Sequence, residues 1–316
     1  MQRWPRCGPL IATASCGILT LSSLILGAGA GAAPQSVRAA DDHTNIFVVP
    51  TEGGRPVRLT NNGHGGVLEA LEETLALDPS WSPDGKRLVF TEIRCHSCSS
   101  EIHVMRAKPT RGKTWLRGLI GHGYHPRWSP NGQLIAYVRT EGGIYVMRPD
   151  GSHKRRVTRG GLADDGPAWS PNSRQIVFTR QVTATRWRLY VVGANGTGLR
   201  PLTSGRIPAI NPSWSPNGRR IAFARELGNW QIFTMNLRGR GRKRISNGRT
   251  SDSFPVWSPD GQRLVFVRQE GSATAVFTVK LNGRGLRRMS PRPMNAVQPT
   301  WSPNGRRVAF AGTPRE

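Results

Sequence analysis

One tripeptide recurs along this chain and limits the folds that it can adopt. Trp-Ser-Pro occurs six times, at intervals of 41 to 47 residues, and a Pro stands two residues before every Trp. The six copies begin at Trp81, Trp128, Trp169, Trp214, Trp257 and Trp301. Self-similarity at such a period is the signature of a repeat fold in which each copy forms one supersecondary unit.

Each copy encodes a tight turn and then a strand. Asp-Gly or Asn-Gly follows Trp-Ser-Pro in five copies, and this residue order is typical of a hairpin turn. The third copy has Asn172-Ser173, and we expect slight strain there because Ser lacks the conformational freedom of Gly. Seven and nine residues after each Trp stand an aliphatic and an aromatic residue, such as Leu88 and Phe90, which predicts a half-buried strand.

Two further strands complete each repeat. In the second copy, for example, residues 144–147 form a third apolar strand, Asp150-Gly151 a second turn, and a fourth strand ends at Val157-Thr158. Four antiparallel strands in about 40–45 residues predict a propeller blade. The fold class is therefore all-β, a six-bladed β-propeller.

The last blade needs strands from the other end of the chain. The sixth copy stops near Phe310, after two strands, whereas residues 45–49 match a third strand and residues 56–60 a fourth. We expect the N-terminal strands to complete the last blade, so that no sheet edge stays open. The predicted organisation is an N-terminal segment over residues 1–40 and a propeller over residues 41–316.

The repeat resembles that of the TolB-like β-propeller family, which is related to WD-type propellers, and the resemblance covers residues 44–312. It implies a protein-docking role in the cell envelope. TolB itself is periplasmic, docks a peptidoglycan-associated lipoprotein and carries a further α/β domain, for which the interval before Asn45 is expected to be too short. Similar blades occur in non-catalytic domains of peptidases and in oligogalacturonide lyases, so function must be argued from the site.

The N-terminal segment has the pattern of a secretory signal. Arg3 and Arg6 precede an uncharged run over residues 8–33, and small residues favour cleavage near Ala33 or Ala39. The run is also long enough to remain as a single anchoring helix. Both interpretations imply an extracytoplasmic protein that is secreted, periplasmic or associated with the envelope, peripherally or through its N-terminus.

The cysteines suit an oxidising compartment. Cleavage removes Cys7 and Cys16 and leaves Cys95 and Cys98, for which we expect a local disulfide. No His follows Cys98 directly, as haem attachment requires, and no second pair completes a zinc site.

The chain is strongly basic, with a formal net charge of +26 that comes almost wholly from Arg. Such a charge favours an anionic partner, for example an acidic envelope polymer, although a solvated Arg-rich surface explains it equally well. Residues 238–244 resemble a nucleic-acid motif, but they align with the second blade turn. We therefore expect no specific nucleic-acid partner.

A propeller sorts its connections onto two faces. The Trp-Ser-Pro turns lie on one, here called the turn face, and carry basic residues such as Arg219 and Arg306. The other, the loop face, varies in length and composition, which is typical of binding loops on a rigid scaffold. It includes residues 61–77, 95–100, 121–125, 162–166 and 181–187. A short helix is expected over residues 67–75, with acidic residues Glu69, Glu72 and Glu73.

Polar residues are expected to gather on the loop face at the mouth of the central channel. The candidate binding residues are Asp78, His122, His125, Asp164, Asp165, Asn211 and Gln298. Histidine and carboxylates are ligands that divalent metals accept, although a solvated channel lining explains them as well. We expect neither a metal nor another cofactor.

No catalytic signature is present, neither Gly-x-Ser-x-Gly nor His-Glu-x-x-His. We expect a monomeric, non-enzymatic scaffold that binds a protein or an anionic envelope polymer. The alternative is a propeller enzyme, a metal-dependent lyase or hydrolase that acts on an acidic polymer.

Overall fold

A computed structural model describes residues 44–60, 74–94, 99–107 and 118–314 of the chain. The N-terminal segment with its cleavage sites and the Cys95–Cys98 pair lie outside these residues, so the expectations about them stay predictions. Within the described ranges every regular element is a strand, and no helix there is long and apolar enough to cross a membrane.

The described residues form 24 strands. In chain order they are β1 (Asn45–Pro50), β2 (Val57–Arg58), β3 (Thr74–Trp81), β4 (Arg87–Arg94), β5 (Ser99–Arg106), β6 (Gly118–His122), β7 (Tyr124–Trp128), β8 (Ile135–Val138), β9 (Ile144–Met147), β10 (Arg155–Arg156), β11 (Ala163–Trp169), β12 (Gln175–Thr183), β13 (Arg186–Gly193), β14 (Arg200–Pro201), β15 (Ala209–Trp214), β16 (Arg220–Leu227), β17 (Asn229–Asn236), β18 (Lys243–Arg244), β19 (Asp252–Trp257), β20 (Arg263–Glu270), β21 (Ala273–Lys280), β22 (Arg287–Arg288), β23 (Met294–Trp301) and β24 (Arg307–Pro314).

These strands make six antiparallel four-stranded sheets, one for each blade. Five blades use four consecutive strands, beginning with β3–β6, and the innermost strand ends at the Trp of the repeat. The sixth blade has the order β23-β24-β1-β2, in which Asn45 lies opposite Gly312 and Pro50 opposite Arg307. The predicted six-bladed fold and its closure by the N-terminal strands are confirmed.

The repeat residues fill the core between the blades. The aliphatic residue seven positions after each Trp is fully buried, and so is the aromatic residue two positions later, such as Phe178. The Trp residues pack against a neighbouring blade: Trp169, for example, contributes to one apolar cluster with Val146 of the preceding blade. Because every blade places side chains of similar size at equivalent positions, the packing between blades is uniform around the ring.

Side-chain hydrogen bonds fix the Trp-Ser-Pro turns. In the first blade the hydroxyl of Ser82 donates to Asp84 and accepts a hydrogen bond from the backbone N–H of Arg87 (2.9 Å). Ser173, which replaces the turn Gly, has φ 58°, the left-handed conformation that the sequence predicted to be strained. Its hydroxyl accepts a hydrogen bond from the N–H of Asn131 (3.1 Å), which ties the turns of two blades together.

The expected helix over residues 67–75 is wrong at its C-terminal end. Thr74 and Leu75 already belong to β3, where they pair with Arg94 and Ile93 of β4. The need to pair with β4 overrides the local sequence there. Residues 67–73, with the three Glu residues, lie outside the described ranges.

Candidate functional site at the channel mouth

The innermost strand of every blade is irregular at the residue before the blade Pro. All six of these residues have φ between 51° and 57°, although only one of them is Gly, and the strand register shifts at the same place. They are Asp78, His125, Gly166, Asn211, Phe254 and Gln298. Since Pro cannot donate a ladder hydrogen bond, each strand bulges here. Strained backbone of this kind is concentrated at functional sites in proteins.

The channel encloses a cavity of about 200 Å³. Five of the six bulge residues line it: the candidates His125, Asn211 and Gln298, together with Gly166 and Phe254. The sixth, Asp78, is almost fully buried, and its backbone N–H donates to the Gln298 side chain (3.0 Å). The first and sixth blades are thereby joined at the channel wall.

His125 lies between two buried carboxylates. Its Nδ1 makes a short hydrogen bond with Asp165 Oδ1, and its Nε2 lies 3.3 Å from Asp78 Oδ1. The guanidinium of Arg127 donates to the backbone oxygen of Asp78 (3.2 Å) and approaches its carboxylate (3.9 Å). The ring of Tyr124 stands edge-on to His125, 5.2 Å between centroids. Three blades thus contribute to one buried charged cluster.

These neighbours control protonation in the cluster. Burial alone lowers the pKa of His125, but the charges of Asp165 and Asp78 outweigh it and raise that pKa overall. Burial raises the pKa of Asp165, whereas the charge of His125 and its hydrogen bond hold that pKa below its ordinary value. Both shifts favour a cationic imidazole paired with an anionic carboxylate.

Three buried polar atoms on residues that line the cavity have neither a hydrogen-bond nor an ion-pair partner among the described residues: Asn211 Oδ1 and the indole Nε1 of Trp128 and Trp214. Asp78 Oδ1 and His125 Nε2 make no hydrogen bond either, but they lie 3.3 Å from each other as an ion pair. An unsatisfied buried polar group costs about 1–3 kcal/mol, so such atoms are unusual unless a ligand or water completes them. The Asn211 oxygen accepts a hydrogen bond, whereas the two indole N–H groups donate. The arrangement is suited to a ligand that brings both donors and acceptors into the channel.

Two predicted site residues lie apart from this cluster. The Asp164 carboxylate accepts two hydrogen bonds from Arg180 (2.6 and 2.7 Å) and one from Thr158 Oγ1 (2.5 Å), which occupies it within the third blade. His122 is exposed on β6, opposite Glu101 of β5. The structure brings together Asp78, His125, Asp165 and Gln298, and it places Asn211 on the channel wall of the fourth blade.

Sequence reasoning missed Arg127, although a signal was present. The residue directly before each repeat Trp is otherwise Ser, Ala, Val or Thr, as at Ser80 and Ala168, so an Arg at this position stands out. Its side chain is partly buried, which lowers its pKa, while Asp78 and Asp165 act in the opposite direction. Arg127 is the second cation of the cluster and balances its second carboxylate.

A second polar group lies outside the predicted site, on the first blade. Ligand-type atoms of Glu92, Glu101 and His103 all lie within 4.8 Å of one another, and His103 Nε2 is 2.9 Å from Glu101. Arg94 Nη2 lies 3.3 Å from Glu92 and 3.8 Å from Glu101. The donor set is one that a divalent metal accepts, but Arg94 already supplies a cation. The group stands as a salt-bridge network.

Comparison with known proteins agrees with the repeat and the fold. The profile described as the TolB beta propeller domain matches residues 63–204 and 180–315. These matches cover most of the chain. The fold and the repeat define a six-bladed propeller, and the chain belongs to the TolB-like β-propeller family.

Relatives and solved structures extend this similarity. A TolB homologue of Chlorobium luteolum is 30% identical over 139 residues, which are 43% of this chain and only 31% of that protein. A protein assigned as TolB from Agrobacterium tumefaciens superposes with a TM-score of 0.70 at 20% identity, over 86% of this chain and 99% of the other. TolB of Acinetobacter baumannii gives 0.64 at 17% identity, over 82% and 66%. At these identities the structures establish the fold alone.

Proposed function

We propose that this protein is an extracytoplasmic, non-enzymatic scaffold that binds another protein on its loop face, with a segment of the partner entering the channel mouth. The observation that carries the proposal is the set of unpartnered buried atoms on residues of the cavity wall, Asn211 Oδ1 and the indole Nε1 of Trp128 and Trp214. One acceptor and two donors beside a cavity of about 200 Å³ suit a peptide segment, whose backbone supplies both N–H donors and C=O acceptors.

The surface around the mouth supports a protein partner. Leu162, Ile207 and Leu227 are 67%, 38% and 43% exposed. Leu162 and Ile207 stand in connections on the loop face, and Leu227 is the last residue of β16, where that strand ends on the same face. Apolar side chains around a polar centre are typical of protein interfaces, in which a few anchors carry most of the affinity. The name of one relative, Tol-Pal system protein TolB of Anaeromyxobacter dehalogenans, points in the same direction, toward a protein that acts together with other proteins in one system.

Affinity capture from envelope extract tests the proposal with matched variants. The first replaces Leu162, Ile207 and Leu227 with Ser, and the control replaces Leu199 and Leu286, which are exposed near turns on the opposite side. We expect a partner that the wild type retains to be lost from the first variant and kept by the control. Retention by both variants, or loss from the control alone, would contradict a loop-face site.

One observation favours a second candidate function. An imidazole held by a carboxylate beside a cavity, as His125 is held by Asp165, is an arrangement that enzymes use for general acid–base chemistry. The corresponding hypothesis is a lyase or hydrolase on an acidic polymer. Turnover of a uronic-acid polymer by the wild type that disappears in His125→Gln would support it. Unchanged turnover in that variant would exclude His125 as the base.

A further inference from the structure

The two faces of the propeller differ sharply in charge. Among the described residues, every ion pair uses an acidic residue from the loop side of a blade. These acidic residues are Asp78, Glu92, Glu101, Glu141, Asp164, Asp165, Asp252 and Glu270. On the loop side, these acidic residues therefore neutralise part of the positive charge, and exposed Arg residues such as Arg159 and Arg206 remain.

The turn face has the opposite character. In its described turns, between the first and second and between the third and fourth strands of the blades, eleven exposed basic residues accompany only four acidic ones. The basic residues are Arg55, Lys86, Arg148, Lys154, Arg174, Arg219, Arg238, Arg240, Arg242, Arg284 and Arg306. The acidic residues are Glu52, Asp84, Asp150 and Asp260. No ion pair joins the two sets.

Many neighbouring Arg residues at the strand ends have structural roles, which separates them from the eleven. Arg87 stacks on Trp128 of the next blade (5.0 Å to the ring centroid), and Arg307 stacks on Trp81 (5.2 Å). Arg155 and Arg287 donate to backbone oxygens of the next blade (both 2.8 Å). The eleven turn residues show no such side-chain hydrogen bond or ring contact among the described residues. Contacts within the protein therefore do not explain why these eleven positions carry basic residues.

Two apolar side chains accompany this charge. Leu199 and Leu286 occupy the same place in two blades, directly before the outermost strand, and are 39% and 45% exposed. The next residues are Arg200 and Arg287. An exposed apolar residue beside a cation is the combination that anchors peripheral proteins at the interface of a bilayer.

We propose that the turn face docks on the surface of a membrane that contains anionic phospholipid. Positive charges spread over the turns of all six blades match a charged plane better than a linear polymer, which would need them along one groove. Exposed leucines gain free energy from acyl chains and headgroups but not from a hydrated polysaccharide. Docking by this face leaves the loop face directed away from the bilayer and free to bind a protein.

Vesicle co-sedimentation of the full-length chain tests the proposal. The vesicles are phosphatidylcholine with or without about 30% phosphatidylglycerol. One variant changes Arg219, Arg238, Arg240 and Arg306 to Glu. The matched control changes four loop-side Arg residues to Glu, namely Arg159, Arg186, Arg206 and Arg249. The two variants have the same net charge and the same N-terminal segment. None of the eight side chains makes a hydrogen bond or an ion pair with another described residue.

We expect wild type and control to prefer the anionic vesicles, with binding that weakens as salt is added. Each basic residue near such a surface contributes on the order of fivefold in affinity, so the turn-face variant should lose more than about a hundredfold. Equal losses in both variants would mean that only net charge matters and would overturn the proposal. So would binding that is insensitive to phosphatidylglycerol.

A second pair of variants distinguishes a membrane from a soluble polyanion. Leu199→Ser with Leu286→Ser should weaken vesicle binding severalfold and leave binding to dextran sulfate unchanged. The control, Leu162→Ser with Ile207→Ser, should change neither. If the two Leu changes have no effect on vesicles while dextran sulfate competes fully, the face binds polyanions and the membrane proposal is wrong. Thermal melts establish that every variant is folded.

Discussion

Gly123 and His125 lie two residues apart at the start of the second blade, and each restricts substitution for a different reason. Gly123 has φ 139°, and a Cβ added there would lie 2.3 Å from the backbone oxygen of Val138 and 2.9 Å from the Tyr137 ring. His125 has φ 52°, a backbone conformation that is strained for any residue other than Gly. Its ring lies between the carboxylates of Asp165 and Asp78. Lack of space beside the backbone restricts substitution of Gly123, whereas the buried charges around the ring restrict substitution of His125.

Gly123→Ala should therefore destabilise the protein by about 3 kcal/mol or more, because both the positive φ and the clash oppose it. Gly142→Ala is the matched control: Gly142 also has a positive φ, 81°, but nothing lies within 4 Å of an added Cβ. Its cost should be only about 1–2 kcal/mol. Urea denaturation measures both, and equal costs would show that the contact with Val138 is relieved easily.

The titration of His125 should follow its two carboxylates. Because Asp165 and Asp78 raise its pKa overall against the effect of burial, NMR should find it above the ordinary value of about 6.5. Asp165→Asn should lower it, and the distant control Asp260→Asn should not change it. A His125 that titrates below about 6.5 in the wild type would contradict the cluster as described.

The same shift predicts a pH dependence of stability. A raised folded-state pKa means that the folded protein holds the proton more tightly than the unfolded chain. The stabilisation is present in full below about pH 6.5, the unfolded value, and is lost as the pH rises through the folded pKa. The difference in unfolding free energy between wild type and Asp165→Asn should therefore shrink as the pH rises from about 6.5 through the folded-state pKa of His125. A difference that stays constant with pH would argue against the ion pair.

At the scale of strands and blades, the sequence determined most of what the structure shows. The Trp-Ser-Pro spacing located the innermost strands, the buried residues such as Leu88 and Phe90, and the bulge residues of the channel. This was possible because every blade packs against its neighbours in the same way, so the same residue types recur at the same distances from each Trp. The matches of residues 45–49 and 56–60 to outer strands located the closure for the same reason.

Features that occur in only one or two copies could not be predicted in this way. Arg127 and the Glu92–Glu101–His103 network depend on contacts between strands that no repeat encodes. Asp164 was predicted to lie at the channel mouth, and its carboxylate is bound by Arg180, sixteen residues along the chain. Pairing of β3 with β4 likewise extends the strand into residues where a helix was expected.

The buried Arg–Asp pairs of two blades should matter more than exposed ones. Arg268 donates two hydrogen bonds to Asp252 (2.7 and 2.8 Å), which is fully buried in the fifth blade. Arg268→Met leaves that carboxylate without its cation and should cost about 3–5 kcal/mol. The exposed pair Arg139–Glu141 is the control, and Arg139→Met should cost less than about 1 kcal/mol.

Chemical denaturation of Arg268→Met, of Asp252→Ala and of the double variant Asp252→Ala/Arg268→Met measures this, with Arg139→Met as the control. The double variant should recover part of the lost stability, because the unpaired buried charge is gone. Additive losses from the two changes would show that the residues do not act as a pair.

For the whole molecule, ring closure depends on pairing between the two ends of the propeller. β1 pairs with β24 along its full length, and Ile46 of β1 is fully buried between the sixth and first blades. Deletion of residues 44–60 removes two strands of one blade and exposes the edge of β24, which invites aggregation. We expect loss of the cooperative thermal transition.

Two substitutions within the sixth blade sharpen this test. Ile46→Asp places a charge in the core and should cost several kcal/mol, whereas Val57→Asp, at a residue that is 46% exposed on the outer strand, should cost little. A deletion variant that melts like the full-length protein, or equal effects of the two substitutions, would show that the ring is stable without this closure.

The molecule as a whole presents two surfaces of different chemistry, and the proposed function assigns the protein partner to the loop face. Photo-crosslinking in the native host tests this most directly, with a photoreactive residue placed singly at Leu162, Ile207 or Leu227 and, as controls, at Leu199 or Leu286. The account predicts a discrete protein adduct from the loop-face positions and none from the controls. Protein adducts only from Leu199 and Leu286 would contradict it.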